Sequence, residues 1–303
     1  MPPAVSLASP FDAKHEQQLI LAMRDPALAD NPLAWVMFTF PWGKPNTPLA
    51  DCSGPRTWQK EALLKIARHI AENKRRGSQS LAPEVFREAM ASGRGVGKSA
   101  MVCWLVLWML STRIGSTCIV SANTEGQLKS VTWAELGKWA TLAINGHWWD
   151  RNSARLTPVK WLAELAGRDL GVSGEYWYAE AKLWKEENPD AYAGVHNPLG
   201  ILLVFDEASG IPTPIWKVAE GFFTDISQWR FWLVFSNPRR TQGAFFECFH
   251  KNRTAWGRTQ LDGRTVEGTD KAVYASIVER YGEDHDVTRV EVKGQFPRQG
   301  DNQ

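Results

Sequence analysis

The chain has 303 residues, 44% hydrophobic and 22% charged, with a formal net charge of +2. Those proportions suit a globular protein with a sizeable core, in one large α/β domain or two small ones. A net charge this small creates no overall field for nucleic acid, membrane or acidic partners, so any such partner has to be argued from local patches.

Residues 1–30 are polar with scattered proline and read as a loosely held N-terminal arm or short helix. "PLAWVMFTFPWGKPNTPLADCSGP" alternates apolar runs with proline and glycine, which predicts a strand or extended segment leading into turns. "TWQKEALLKIARHIAENKRRG" has helical periodicity through Leu63, Ile66 and Ile70, with Thr57 as N-cap. "EVFREAMA" leads into a glycine loop, and "KSAMVCWLVLWMLST" follows as a helix. "TCIVSA" is a short strand and "EGQLKSVTWAELGKWATLA" a further helix. Residues 146–190 are mixed and tryptophan-rich, a strand pair plus insertions. "GILLVFDEASG" and "FWLVFSNP" are continuous apolar runs of buried-strand type. Strands alternating with helices predict an α/β fold with a mostly parallel central sheet flanked by helices.

Cys52, Cys103, Cys118 and Cys248 lie far apart without metal-ligand spacing, and the two in apolar runs read as buried free thiols. That favours a reducing, cytoplasmic setting. The first residues lack signal-peptide organisation. The longest apolar run, "AMVCWLVLWML", is too short to span a bilayer, so no membrane partner is expected. The 16 tryptophans read as core and interface anchors.

The chemistry concentrates in three places. "SGRGVGKS" (residues 92–99) fits the phosphate-loop pattern G-x-x-x-x-G-K-[ST] except that Ser92 stands at the first glycine position. Gly93, Arg94, Gly95, Val96 and Gly97 would turn backbone N–H groups onto phosphate oxygens, beside a helix N-terminus. Lys98 would bridge the β- and γ-phosphates, and Ser99 would ligate Mg2+. Read alone, the stretch is also a glycine turn that binds nothing. "ILLVFDEASG" ends an apolar strand on Asp206 and Glu207, at the sheet edge where α/β folds bind ligands. There Asp206 would hold Mg2+, and Glu207 would act as general base on the attacking water. The alternative is a solvated acidic turn. "LVFSNP" places Ser236 and Asn237 at a third strand end, as γ-phosphate sensors or simply as a capped strand end turning at Pro238. Gln59 could read the adenine edge.

Together with "FPWG", "GPRTWQKEAL", "SANTEGQLKSVTW", "NPDAYAGVHN", "FSNPRRTQGAFFECF", "DGRTVEGTDKA" and "VKGQFP", these motifs in this order resemble the ATPase domain of tailed-bacteriophage terminase large subunits, the motors that package viral DNA into procapsids. The resemblance runs from about residue 30 to 297. It implies a RecA-like ASCE P-loop ATPase domain over residues 31–297 and a short tail at 298–303. ATP and Mg2+ are the ligands it implies. Gln59 would contact adenine, Lys98 and Ser99 fall in Walker A, Asp206 and Glu207 in Walker B, and Ser236 and Asn237 in the coupling motif. Arg94 matches the position of an arginine finger acting in cis, where a guanidinium would stabilise charge developing on the γ-phosphate. The implied partners are double-stranded DNA, further copies of the chain in a ring, the portal protein and the terminase small subunit, in the host cytoplasm. The C-terminal nuclease domain usual in that family is not expected in these residues.

Net charge points to no DNA groove. Candidate patches are residues 73–76, 238–242 and 251–253, each of which is as readily a solvated face. Two rival functions stand beside the motor. One is a superfamily 2 helicase or translocase, to which "DEAS" and Gln59 are similar but which needs a second RecA-like domain. The other is an ATP-binding assembly protein without turnover.

Overall fold

The apolar runs of the sequence lie side by side in one sheet. The computed structural model describes residues 12–298. Its strands are β1 (Phe86–Ser92), β2 (Thr117–Ser121), β3 (Trp149–Arg151), β4 (Arg155–Pro158), β5 (Tyr178–Ala181), β6 (Ile201–Asp206), β7 (Arg230–Ser236) and β8 (Gly257–Leu261), in the spatial order β3-β4-β5-β2-β6-β7-β1-β8. β4 pairs antiparallel with both β3 and β5, and every other pairing is parallel. β7 thus lies between β1, which leads into the glycine loop, and the acidic strand β6. Its register sets Ser236 opposite Ala91 and Phe235 opposite Asp206, which brings all three motif-bearing strand ends to one edge.

Side chains alternate across the sheet as the two-residue period requires. From β6 and β7, Leu202, Val204, Phe231, Leu233 and Phe235 enter one core, while Ile201, Leu203, Phe205, Trp232 and Val234 enter the other. The first core is covered by α1 (Ala13–Arg24), α2 (Pro26–Ala29), α3 (Pro32–Thr39), α4 (Thr57–Ser78) and α5 (Lys98–Thr112). The other helices are α6 (Glu125–Gln127), α7 (Ala134–Leu142), α8 (Lys160–Leu170), α9 (Thr213–Glu220), α10 (Ala244–Phe249), α11 (Lys271–Tyr281) and α12 (Asp286–Glu291). α5 is buried on every side from Met101 to Thr112, as a helix that is apolar all round must be. α9 and α10 cover the second core with Trp216, Phe245 and Cys248. Most of the tryptophans are buried, as the core-anchor reading expects.

Of the two alternatives for the first thirty residues, residues 13–29 take the helical one: α1 and α2 dock, with Leu19, Met23 and Ala29 buried. The expectation for the next segment needs correction. Residues 32–39 are a helix instead of a strand. Asn31 caps it by accepting the Ala34 N–H (3.2 Å), and Pro32 sits in the first turn, where its missing N–H costs nothing. The segment stays down because Phe40 and Trp42 interlock with Trp104 and Trp139, ring centroids 5.0 to 6.4 Å apart. Trp108 also donates to Ala29 O (3.0 Å). Residues 1–11 and 299–303 of the expected arm and tail lie outside the described residues.

Smaller differences are local. Arg56, not Thr57, takes the N-cap position of α4. The expected helix over 125–143 is α6 and α7 joined through a π-helical segment, Leu128–Trp133. The tryptophan-rich region holds the strand pair β3–β4, then α8 and β5. Among the described residues no helix is long and apolar enough to cross a membrane.

All four cysteines are free. Burial pushes the thiols of Cys103, Cys118 and Cys248 up, the last to about 12, while Cys52 is exposed. A maleimide at about pH 8 should therefore modify Cys52 alone in the native chain and all four cysteines in denaturant, read by intact mass. Fast native labelling of Cys103 would contradict the packing of α5.

Candidate active site

β1 ends at Ser92, and the loop of residues 93–97 carries the chain into α5. Gly97, with φ of +92°, takes a left-handed turn that a Cβ would strain. Gly93 is required for a different reason: a Cβ there would lie 2.3 Å from the carbonyl oxygen of Val292. The departure from the phosphate-loop pattern has a structural use. Ser92 Oγ accepts from Lys98 Nζ (3.0 Å) and donates to the Gly93 carbonyl (2.9 Å), so the serine holds the lysine. Burial pushes the Lys98 ammonium pKa down, and the carboxylates of Glu207, Asp206 and Glu291 pull it back up.

Asn237 binds the same elements from the far side. Its Nδ2 donates to Ser92 O (2.8 Å) and its Oδ1 accepts from Lys98 Nζ (3.4 Å). Ser236 Oγ donates to Ser209 Oγ (2.8 Å) and accepts from Ser209 N (3.2 Å), and Ser209 Oγ donates to Asn237 O (3.2 Å). The end of β7 is therefore hydrogen-bonded both to the residues that flank the glycine loop and to the turn after β6.

In that turn Asp206 is buried and its carboxylate is aimed by two donors, Thr132 Oγ1 (2.8 Å) and the N–H of Glu207 (3.0 Å). Glu207 has φ of +52°, a left-handed conformation uncommon outside glycine. A non-glycine residue held there costs on the order of 1–3 kcal/mol, and such outliers cluster at functional sites. The Glu207 side chain lines a cavity of about 480 Å³ together with Gly95, Gly97, Lys98, Ser99 and Asn237, within the usual range for small-molecule sites. Arg94, Glu135 and Arg239 line it too.

Two expected residues are placed differently from a simple ligand contact. Gln59 is buried, with Oε1 accepting the Arg56 N–H (2.8 Å) and Nε2 donating to Gly97 O (2.9 Å); it braces the start of α4 and the phosphate loop. Arg94 lies at the cavity edge with its guanidinium ion-paired to Glu291. Of the basic patches, Lys74, Arg75 and Arg76 are each paired with an acid, Asp30, Glu72 and Glu84 respectively. Arg240, Lys251 and Arg253 are exposed.

Thr132, Glu135 and Glu291 are not singled out by the sequence, and Arg239 is marked there only as part of the basic patch 238–242, whereas it lines the cavity. Thr132 sits in the π-helical segment, where the widened turn marks many functional sites, but its chain distance from Asp206 leaves no signal in the sequence. Thr132→Val keeps the side-chain shape and removes the donor to a buried carboxylate. It should cost about 1–3 kcal/mol in urea denaturation, and an unchanged midpoint would contradict the Asp206 contact.

No protein-family model matches the sequence. A curated relative, the probable terminase large subunit of Enterobacteria phage P7, is 26% identical over 222 residues, covering 70% of this chain and 43% of the relative. The chain therefore spans less than half the length of that relative. Among solved structures, the HK97 bacteriophage large terminase aligns with a TM-score of 0.53 at 13% identity, over 88% of this chain and 55% of that one. A mutant of the Thermus phage P74-26 large terminase ATPase domain aligns with a TM-score of 0.49 at 18% identity, over 69% of this chain and 88% of that one. The chain is thus similar in sequence to a phage large terminase subunit and carries the RecA-like fold of a large terminase.

Proposed function

We propose that the chain is the ATP-hydrolysing motor part of a phage large terminase subunit, driving double-stranded DNA into a procapsid. The observation that carries this is the convergence of Lys98, Glu207 and Asn237 on one cavity at the C-terminal edge of the parallel sheet, with the buried Asp206 next to Glu207 and held by its N–H and by Thr132. Backbone N–H groups of residues 93–98 and the first turn of α5 bind the phosphate chain of ATP. Lys98 neutralises the β- and γ-phosphates, and its two tethers hold it in place. Glu207 takes the proton of the attacking water, and Arg94 supplies charge to the γ-phosphate in cis. Gln59 would act by bracing the loop, and a contact with adenine would require its buried amide to be uncovered.

The residues fit Mg2+. The Ser99 hydroxyl makes no hydrogen bond among the described residues, and Asp206 is oriented as a carboxylate with lone pairs to spare, the few protein oxygens such a site needs beside phosphate and water. Bound there, Mg2+ would offset charge on the phosphate oxygens.

Coupling runs through β7. Ser236 and Asn237 touch both halves of the site, so a change at the γ-phosphate is felt at Ser209 and in the residues after Asn237. The large-terminase reading brings with it a ring of copies, a portal protein and a small subunit as partners, in the host cytoplasm. DNA contacts go to phosphates, since packaging ignores sequence, and the exposed Arg240, Lys251 and Arg253 are available for them.

Glu207→Gln should lower ATP turnover by about 10²–10⁴-fold while nucleotide binding persists, measured as phosphate release and by titration calorimetry. Normal turnover in that variant would remove Glu207 from the chemistry. Ser236→Ala breaks the link to Ser209 and should reduce turnover, and its stimulation by DNA, with binding nearly unchanged. A variant with full DNA-stimulated turnover would place coupling elsewhere.

A further inference from the structure

Two arginines reach the rim of the cavity, and one carboxylate holds both. Arg94 is ion-paired through Nε to Glu291 Oε2, and Arg239 Nη2 lies 3.4 Å from Glu291 Oε1. The Glu291 side chain is only 13% exposed, against 62% for Arg94 and 54% for Arg239. The carboxylate is the fixed point, and the guanidiniums are the parts with room to swing.

The backbone around this contact is locked. Arg94 N donates to Glu291 O (2.9 Å), Tyr274 Oη donates to Arg94 O (2.6 Å), and Gly263 N donates to Val292 O (2.8 Å). The end of α12 is packed so closely on the phosphate loop that Gly93 has no room for a Cβ. A change of partner for either arginine is therefore a side-chain movement about a rigid base.

We propose that Glu291 is a positioning residue of the nucleotide site: it holds Arg94 and Arg239 together while the γ-phosphate position is empty, and a triphosphate displaces them from it. The inference rests on the ATP-site reading above. One carboxylate shared by two guanidiniums leaves a positive charge and unspent N–H donors facing the cavity. Phosphate oxygens offer both arginines stronger, bidentate acceptors than half a carboxylate each. The exposed pairs are screened by water and individually weak, so the exchange is reversible. A diphosphate lacks the group that reaches them. Glu291 thereby sets how strongly the site distinguishes triphosphate from diphosphate, and Arg239 joins Arg94 as a second arginine answering to the γ-phosphate.

The test is calorimetric titration of the whole 303-residue chain with Mg2+ and either ADP or the non-hydrolysable ATP analogue AMP-PNP. Four proteins are compared: the unaltered chain, Glu291→Gln, the double variant Arg94→Ala/Arg239→Ala, and the triple variant. Glu291→Gln should tighten AMP-PNP about tenfold and ADP much less, and should have no effect in the double-alanine background. Unchanged or weaker AMP-PNP binding in a folded Glu291→Gln protein would overturn the proposal. Equal tightening in both backgrounds would overturn it too, because that is simple charge removal. If Glu291→Gln does not fold, Glu291→Asp, which shortens the reach by one methylene, should move binding in the same direction, and no movement would count against the proposal. Failure of the unaltered chain to bind either nucleotide would instead sink the ATP-site reading, and the proposal with it.

Discussion

Asn237, side chain and backbone together, joins the three strand ends on which the site depends. Its Nδ2 holds the last carbonyl of β1, its Oδ1 holds the ammonium of Lys98, and its backbone carbonyl accepts from the hydroxyl of Ser209 after β6. No single element could place a lysine and two carboxylates around one cavity. The sheet order does so by setting β7 between β1 and β6, and Asn237 then fixes the distance between their ends. The arrangement spends buried polar groups freely, which is tolerable only because nearly every one has a partner.

Around that hub the site combines rigidity with two groups left poised. Ser92, Lys98, Ser209, Ser236 and Asn237 are tied into one hydrogen-bonded network, and Asp206 is held separately by Thr132 and by the N–H of Glu207. Glu207 keeps its left-handed backbone conformation beside that aspartate, with its side chain lining the cavity. The cost of that conformation is borne by the buried β6, whose six residues are all inaccessible to solvent. Arg94 and Arg239 are the exposed charges at the cavity rim, paired through Glu291 with the segment that packs on the glycine loop. A fixed centre with exchangeable charge at its rim would suit the proposed nucleotide-driven role.

Much of this was legible in the sequence because it is local. The helix over Lys98–Thr112, the acidic end of β6 and the polar end of β7 each follow from a run of apolar residues and what terminates it. What escaped reading was of two kinds. α3 is an apolar stretch without polar spacing, so periodicity could not distinguish helix from strand, and it is fixed by the Asn31 cap and by the packing of Phe40 and Trp42, just after it, against Trp104 and Trp139. Thr132 with Asp206, and Glu291 with Arg94, are contacts between residues far apart in the chain, formed only once the sheet order is known. Gln59 falls between the two: its place before the loop was readable, its engagement with Gly97 O was not.

The central claim is that the loop of residues 93–98 cradles the phosphates of ATP beside Asp206 and Glu207. A crystal structure of the chain with Mg2+ and AMP-PNP tests it most directly. The account predicts β- and γ-phosphate oxygens within hydrogen-bond reach of the loop N–H groups and of Lys98, with the metal against Ser99 and Asp206. Nucleotide bound elsewhere, or a loop left empty at saturating ligand, would contradict it.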